Sequence, residues 1–121
     1  LAAEQLPHLG TVLRACLDYL KLRGVFHFRV NNAGIFNQKS GGYFHHGMLG
    51  ISDIIAVLPQ IIEIHGEKVT QGVICCIEVK SPTGKTSTHQ DAFLGQINRL
   101  GGLGVVVRSV DDLKKALDEC A

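Results

Sequence analysis

The feature that most constrains this chain is an apolar strand closed by two charges. Val73-Ile74-Cys75-Cys76-Ile77-Glu78-Val79-Lys80 is a nearly continuous apolar run, rich in β-branched residues, that suits a central strand buried on both faces. Glu78 and Lys80 stand two apart, so both side chains leave one face while Val79 points to the other. A second run, residues 51–58, is interrupted by Asp53. Ionised groups in such places cost free energy unless a partner compensates. A divalent cation is the simplest partner for two carboxylates. If the two runs are neighbours, Asp53 can approach Glu78, because adjacent strands lie about 4.8 Å apart.

Magnesium and manganese take hard oxygen ligands and keep several waters for substrate phosphate. An ion held by Asp53, Glu78 and the Val79 carbonyl would polarise a phosphodiester oxygen and activate water, with Lys80 as the positioning or electrostatic group. Gln90 is expected near the start of the following helix, within reach of Lys80, the water or a phosphate. The competing reading of Glu78 and Lys80 alone is an ordinary ion pair. The second carboxylate, Asp53, favours a site.

The rest of the chain reads as one α/β domain spanning residues 1–121, with a mixed sheet flanked by helices. Leu9, Val12, Leu13, Cys16, Leu17 and Leu20 recur at helical spacing and predict an amphipathic helix over about 7–23, ended by Gly24. Residues 25–30 alternate as a half-buried strand. A glycine-rich polar loop or hairpin tip follows to about residue 42, then a short strand near 43–46 and a longer one over about 52–58. Residues 59–72 read as a polar connection, with 61–64 strand-like and a turn near 65–67. After the central strand, Ser87 is placed to cap a helix to about Leu100. Residues 103–107 read as a strand, and Ser109 as the cap of a last helix with Asp111 and Asp112 in its first turn.

A formal net charge of +1 argues against nucleic-acid binding by bulk charge alone. A local basic stretch is present, since residues 27–48 hold Arg29, Lys39 and three histidines without an acid. Cys16, Cys75, Cys76 and Cys120 lack the CxxC spacing of zinc ribbons and read as reduced thiols of a cytoplasmic protein. No apolar run is long enough to span a membrane, and no secretory signal is visible.

Several residues stand as candidate DNA contacts: Asn31, Asn32 and Lys39 in the polar loop, His45, and His89 beside Gln90, with Arg29 and Lys85. For the loop, a purely solvated surface is the alternative. His45 and His46 are adjacent on an expected strand and face opposite ways, which disfavours zinc. Gly84-Lys85-Thr86 lacks the first glycine of a P-loop, because Val79 occupies its position. No Ser-His-Asp order supports acyl transfer.

Gly50-Ile51-Ser52-Asp53-Ile54-Ile55, Ile77-Glu78-Val79-Lys80-Ser81-Pro82-Thr83-Gly84-Lys85, Gln90-Asp91-Ala92-Phe93 and the stretch from Gly101-Gly102 to Leu113 resemble the VRR-NUC domain, a branch of the PD-(D/E)XK nuclease superfamily. Tyr19, Leu20, Gly24 and Arg29-Val30-Asn31-Asn32 resemble its N-terminal part, so the resemblance covers nearly the whole chain. It implies a restriction-endonuclease-like core and a magnesium- or manganese-dependent DNA endonuclease with Asp53, Glu78, Lys80 and Gln90 at the site. It further implies a homodimer that cuts branched DNA, four-way junctions in particular, in a bacterial or phage-infected cell. A two-fold junction that needs two cuts suits an isologous dimer. One departure concerns the first helix, where the family carries an acidic metal ligand. Here the matching region near His8 and Leu9 has none, and Glu4 is the nearest candidate. The alternatives are a flap or nicking nuclease acting as monomer or subunit, and a DNA-binding module without catalysis.

Overall fold

A computed structural model describes residues 9–30, 35–37, 42–44 and 48–120. The elements in chain order are α1 (Leu9–Arg23), β1 (Phe26–Arg29), β2 (Ile35–Asn37), β3 (Gly42–Phe44), β4 (Ile54–Ile64), β5 (Glu67–Val79), α2 (Thr88–Arg99), β6 (Leu103–Val107) and α3 (Val110–Cys120). Four strands form one sheet in the order β1-β4-β5-β6, and β2 pairs with β3 in a separate antiparallel hairpin. β1, β4 and β5 are antiparallel neighbours, whereas β6 runs parallel to β5 after the α2 crossover. The protein is therefore an α/β fold with a mixed four-stranded sheet flanked by helices. Among the described residues no helix is long and apolar enough to cross a membrane.

Strand alternation assigns the two faces. Ile54 and Ala56 of β4, with Cys75, Ile77 and Val79 of β5, pack against Val12, Cys16 and Leu20 of α1 and Leu113 and Leu117 of α3. The opposite face puts Cys76, Ile55 and Val106 against Phe93, Leu94 and Ile97 of α2. Of the periodic apolar residues expected in the first helix, Val12, Cys16 and Leu20 bury, Leu13 and Leu17 are partly buried and Leu9 is exposed, and Arg23 ties α1 to Asp118 of α3 at 2.9 Å. Ser109 Oγ accepts the Asp112 N–H at 3.1 Å, as its capping position requires.

Within the polar connection expected over 59–72, the strand-like 61–64 and the turn near 65–67 are present, and the residues on either side of them are ordered β-structure as well. β4 and β5 pair without interruption from Ile54↔Ile77 to Ile64↔Glu67, around a turn in which His65 (φ 52°) and Gly66 (φ 81°) are both left-handed. Two consecutive positive φ values match the twist of a tight hairpin. Pro59 is tolerated because β1 ends its pairing with β4 at Val57, so no ladder bond to Pro59 is needed on that side. Nor is the central strand covered throughout. Cys75 to Val79 are buried, while Ile74, beside Gly102 at the end of α2, is 40% exposed.

Candidate active site

β4 and β5 part company at one end, and the polar residues gather there. One step beyond the Ile54↔Ile77 pair, Asp53 stands opposite Glu78. Alternation places Asp53, Glu78 and Lys80 on the α2 face of the sheet, with Ile55 and Cys76. Asp53 Oδ2 accepts the Val79 backbone N–H at 2.8 Å. Since the N–H and C=O of a strand residue point to the same edge, the Val79 carbonyl faces this opening too.

Glu78 is 3% exposed. Its Oε1 accepts the Gln90 side-chain N–H at 3.0 Å and lies 3.7 Å from Lys80 Nζ, while Oε2 is buried without a donor of its own, and the Asp53 carboxyl is close enough to share a proton with Glu78. Burial, and then the neighbouring Asp53 carboxylate, push Glu78 up to about 8, against the opposing pull of Lys80.

Gln90 is held by the start of α2. Its Oε1 accepts the Ser87 N–H at 2.9 Å while Ser87 Oγ accepts the Gln90 N–H at 3.1 Å, a reciprocal capping box. That leaves the Gln90 amide group free to donate to Glu78. The sequence places Gln90 within reach of Lys80, water or a phosphate; the structure pairs it with Glu78. The S-x-x-Q spacing of residues 87 and 90 was the available signal.

Two further residues set the geometry and were not singled out from sequence as doing so. Gly50 (φ 80°) lies so close to the first turn of α2 that a Cβ there would overlap the His89 carbonyl oxygen. Arg108 Nη2 donates to the Gly84 carbonyl at 2.8 Å, pinning the loop after Lys80 to the end of β6.

The remaining candidates scatter. His89 and Lys85 are exposed at the start of α2 and in the loop before it. Arg29 pairs with Ile54 and so falls on the α1 face, beside Arg14 and Asp18, away from the carboxylates. Glu4, Asn31, Asn32, Lys39 and His45 lie outside the described residues. Among the described residues no group of three His, Cys, Asp or Glu side chains converges as a metal cluster. Two carboxylates and a backbone carbonyl remain as the oxygen donor set. A groove of about 750 Å³ lies part-way along β4, lined by Phe26, Leu58, Gly72, Leu117 and Cys120 among others.

The donor set fits a hard cation. A buried carboxylate oxygen without a donor of its own, beside a second carboxylate, is stabilised by positive charge that Lys80 at 3.7 Å supplies only in part. Fold and site together define an α/β protein with a buried, lysine-flanked pair of carboxylates where two strands end their pairing. Comparison with known protein families, with characterised proteins and with solved structures returns no match.

Proposed function

We propose that this chain is a divalent-cation-dependent DNA endonuclease, with Asp53, Glu78, Lys80 and Gln90 as its working residues. The observation that carries the reading is the buried Glu78 carboxylate, one oxygen without a donor of its own, opposite Asp53 and beside Lys80. An ion pair formed for stability alone would gain nothing from a second acid that raises Glu78 further. The order of helices and strands around this opening is compatible with the PD-(D/E)XK core that the sequence resemblance implies, and we read it so.

Asp53, Glu78 and the Val79 carbonyl would hold magnesium or manganese. When bound, that ion would neutralise charge on the phosphodiester and favour deprotonation of the attacking water. The protein supplies the remainder. Lys80 is a fixed positive charge for the negative charge that grows at phosphorus. Gln90 holds Glu78 in one rotamer, and the Asp53 bond to Val79 fixes the second carboxylate. Water oxygen bonds to phosphorus as the P–O3′ bond breaks. The water proton passes to solvent, the leaving oxygen takes one up, and the products are a 5′-phosphate and a 3′-hydroxyl.

The substrate proposed is branched DNA, with the four-way junction cut by a homodimer as the leading form. End-labelled four-way junction, 5′ flap and linear duplex are incubated with magnesium or manganese, beside the Lys80→Ala variant. Paired symmetric cuts in the junction, lost in the variant, support a resolvase. Cuts at the flap keep the chemistry and move the substrate. No cleavage by folded protein overturns the nuclease reading in favour of a binding module.

A further inference from the structure

Beyond β1 and β6 the β4–β5 hairpin runs on as a two-stranded arm with an open backbone edge. β1 leaves β4 after Val57 and β6 begins opposite Cys75, so the stretch from Leu58 to Val73 has no third strand beside it. Such a ribbon is marginal by itself. The direction of its unpaired groups follows from two bonds at its base. The Val79 N–H points to β4, where it meets Asp53, and the Lys80 N–H points to β6, where it meets the Val107 carbonyl at 2.9 Å. The register of β4 on β5 holds without a bulge down to Glu67, so this alternation carries through the arm. Lys68, Thr70 and Gly72 therefore aim their N–H and C=O groups outward, on the side that β6 covers nearer Lys80. Among the described residues none of these three N–H groups has a partner. The other edge is guarded: its outward residues are Pro59, Ile61 and Glu63, and Pro59 has no N–H to offer.

We infer that the β5 edge from Glu67 to Val73 pairs antiparallel with the same edge of a second copy, with Thr70 on the two-fold axis. An antiparallel ladder joins outward residues to outward residues. With Thr70 at the centre, Thr70 meets its own copy, Lys68 meets Gly72 and Gly72 meets Lys68, and each of these pairs exchanges both backbone bonds. Moving the centre to Gln71 keeps the phase but sets Glu67 against Cys75, where Leu103 of β6 already stands. Moving it to Val69 keeps the phase but sets Gly72 against Gly66 of the turn and loses one pair. The register centred on Thr70 is the longest that stops short of Leu103, since its last paired residue, Glu67, lies opposite Val73.

Side chains agree with that register. Lys68 lies opposite a glycine and Glu67 opposite a valine, so no like charges face each other. Glu63 is the residue across from Lys68 on β4. The two marginal arms become one sheet of four strands. The two-fold runs perpendicular to that sheet, so both Asp53–Glu78 pairs open on the same side. The pairing requires no catalysis, and it gives the homodimer of the proposed reading its surface.

The test follows the molar mass of the full chain by size exclusion with light scattering over a dilution series, with circular dichroism on each protein. Thr70→Pro removes one outward N–H and no bond to β4, and is expected to halve the molar mass with the spectrum kept. Ile61→Pro, the matching change directly across the hairpin, leaves the dimer intact. Thr70→Lys and Thr70→Glu each set like charges on the axis and are expected to be monomers; mixed in equal amounts they recover the dimer mass, because unlike charges then meet. A wild type that is a monomer at every concentration overturns the pairing, as does a dimer that survives Thr70→Pro or is lost equally with Ile61→Pro. Charge variants that stay apart when mixed overturn the two-fold at Thr70, and they decide the matter by themselves if Thr70→Pro does not fold. Cleavage is scored separately: an inactive dimer removes the nuclease reading and keeps the pairing, and an active monomer does the reverse.

Discussion

Asp53 Oδ2 accepts the Val79 backbone N–H at 2.8 Å, so one of the two site carboxylates also closes the ladder where β4 and β5 separate. Its charge and its acceptor atom are separable. Asp53→Asn keeps an acceptor and is expected to melt close to wild type, while Asp53→Ala loses about 1 to 2 kcal/mol by leaving the N–H unpaired. Both variants should be inactive. Denaturant titration beside a cleavage assay checks the split, and an Asn variant as unstable as Ala would refute it.

Glu78 makes stability depend on pH in a stated direction. Between the ordinary carboxyl value of 4.5 and about 8, the unfolded chain has released a proton that the folded chain retains. Folding stability from this group therefore falls as pH rises through that window, and is fully recovered only below it. Melts from pH 5 to pH 8 without divalent ion should show this decline, and Glu78→Gln should remove it. Magnesium or manganese added at pH 8 should raise the Tm of wild type and not that of the variant.

Gly50 lies against the His89 carbonyl in a left-handed conformation, and both conditions exclude a side chain. Gly50→Ala is predicted to cost about 2 to 4 kcal/mol, from positive-φ strain and the forced retreat of α2. Because α2 carries Gln90, activity should fall further than the folded fraction accounts for. A near-neutral ΔΔG by chemical denaturation would contradict the packing.

Ser87→Ala breaks one half of the capping box and is expected to cost about 1 kcal/mol. The more informative effect is on Gln90, which loses the contact that fixes its backbone. The variant should bind DNA like wild type and turn over more slowly, which separates kcat from KM.

Thiol reactivity should follow burial. Desolvation pushes Cys16 up to about 11 and Cys75 up to about 12, and raises Cys76 as well. Cys120 is partly exposed. An aromatic disulfide reagent at pH 8 should modify Cys120 quickly and the other three only on unfolding. Fast reaction of three or four thiols in the native protein would count against the buried core.

The parts of this chain that were legible in sequence are those that bury one face. Val12, Cys16 and Leu20 announced α1, Cys75 to Val79 announced the buried end of β5, and the interruption of apolar runs at Asp53, Glu78 and Lys80 announced the residues that meet at the strand divergence. The extension of β4 and β5 was legible only as a strand-like 61–64 and a turn near 65–67, not as one continuous hairpin. It is exposed on both faces, so Gln60, Glu63, Lys68 and Gln71 are as acceptable there as Ile61 or Val69, and no two-residue alternation survives. Only pairing holds it, including Gln71 to Gln60 at 3.2 Å. Gly50 was equally hidden, because its constraint is the proximity of a backbone 39 residues further on.

The β4–β5 hairpin has its chemistry at one end and its His65–Gly66 turn at the other. Its length is therefore free to vary by matched pairs of residues, one on each strand, without altering which residue faces Glu78. A single unmatched residue must either bulge or slip the register, and a slip would turn Asp53 to the opposite face of the sheet. Lengthening or shortening from the turn is thus quantised, and only even steps leave the carboxylates meeting.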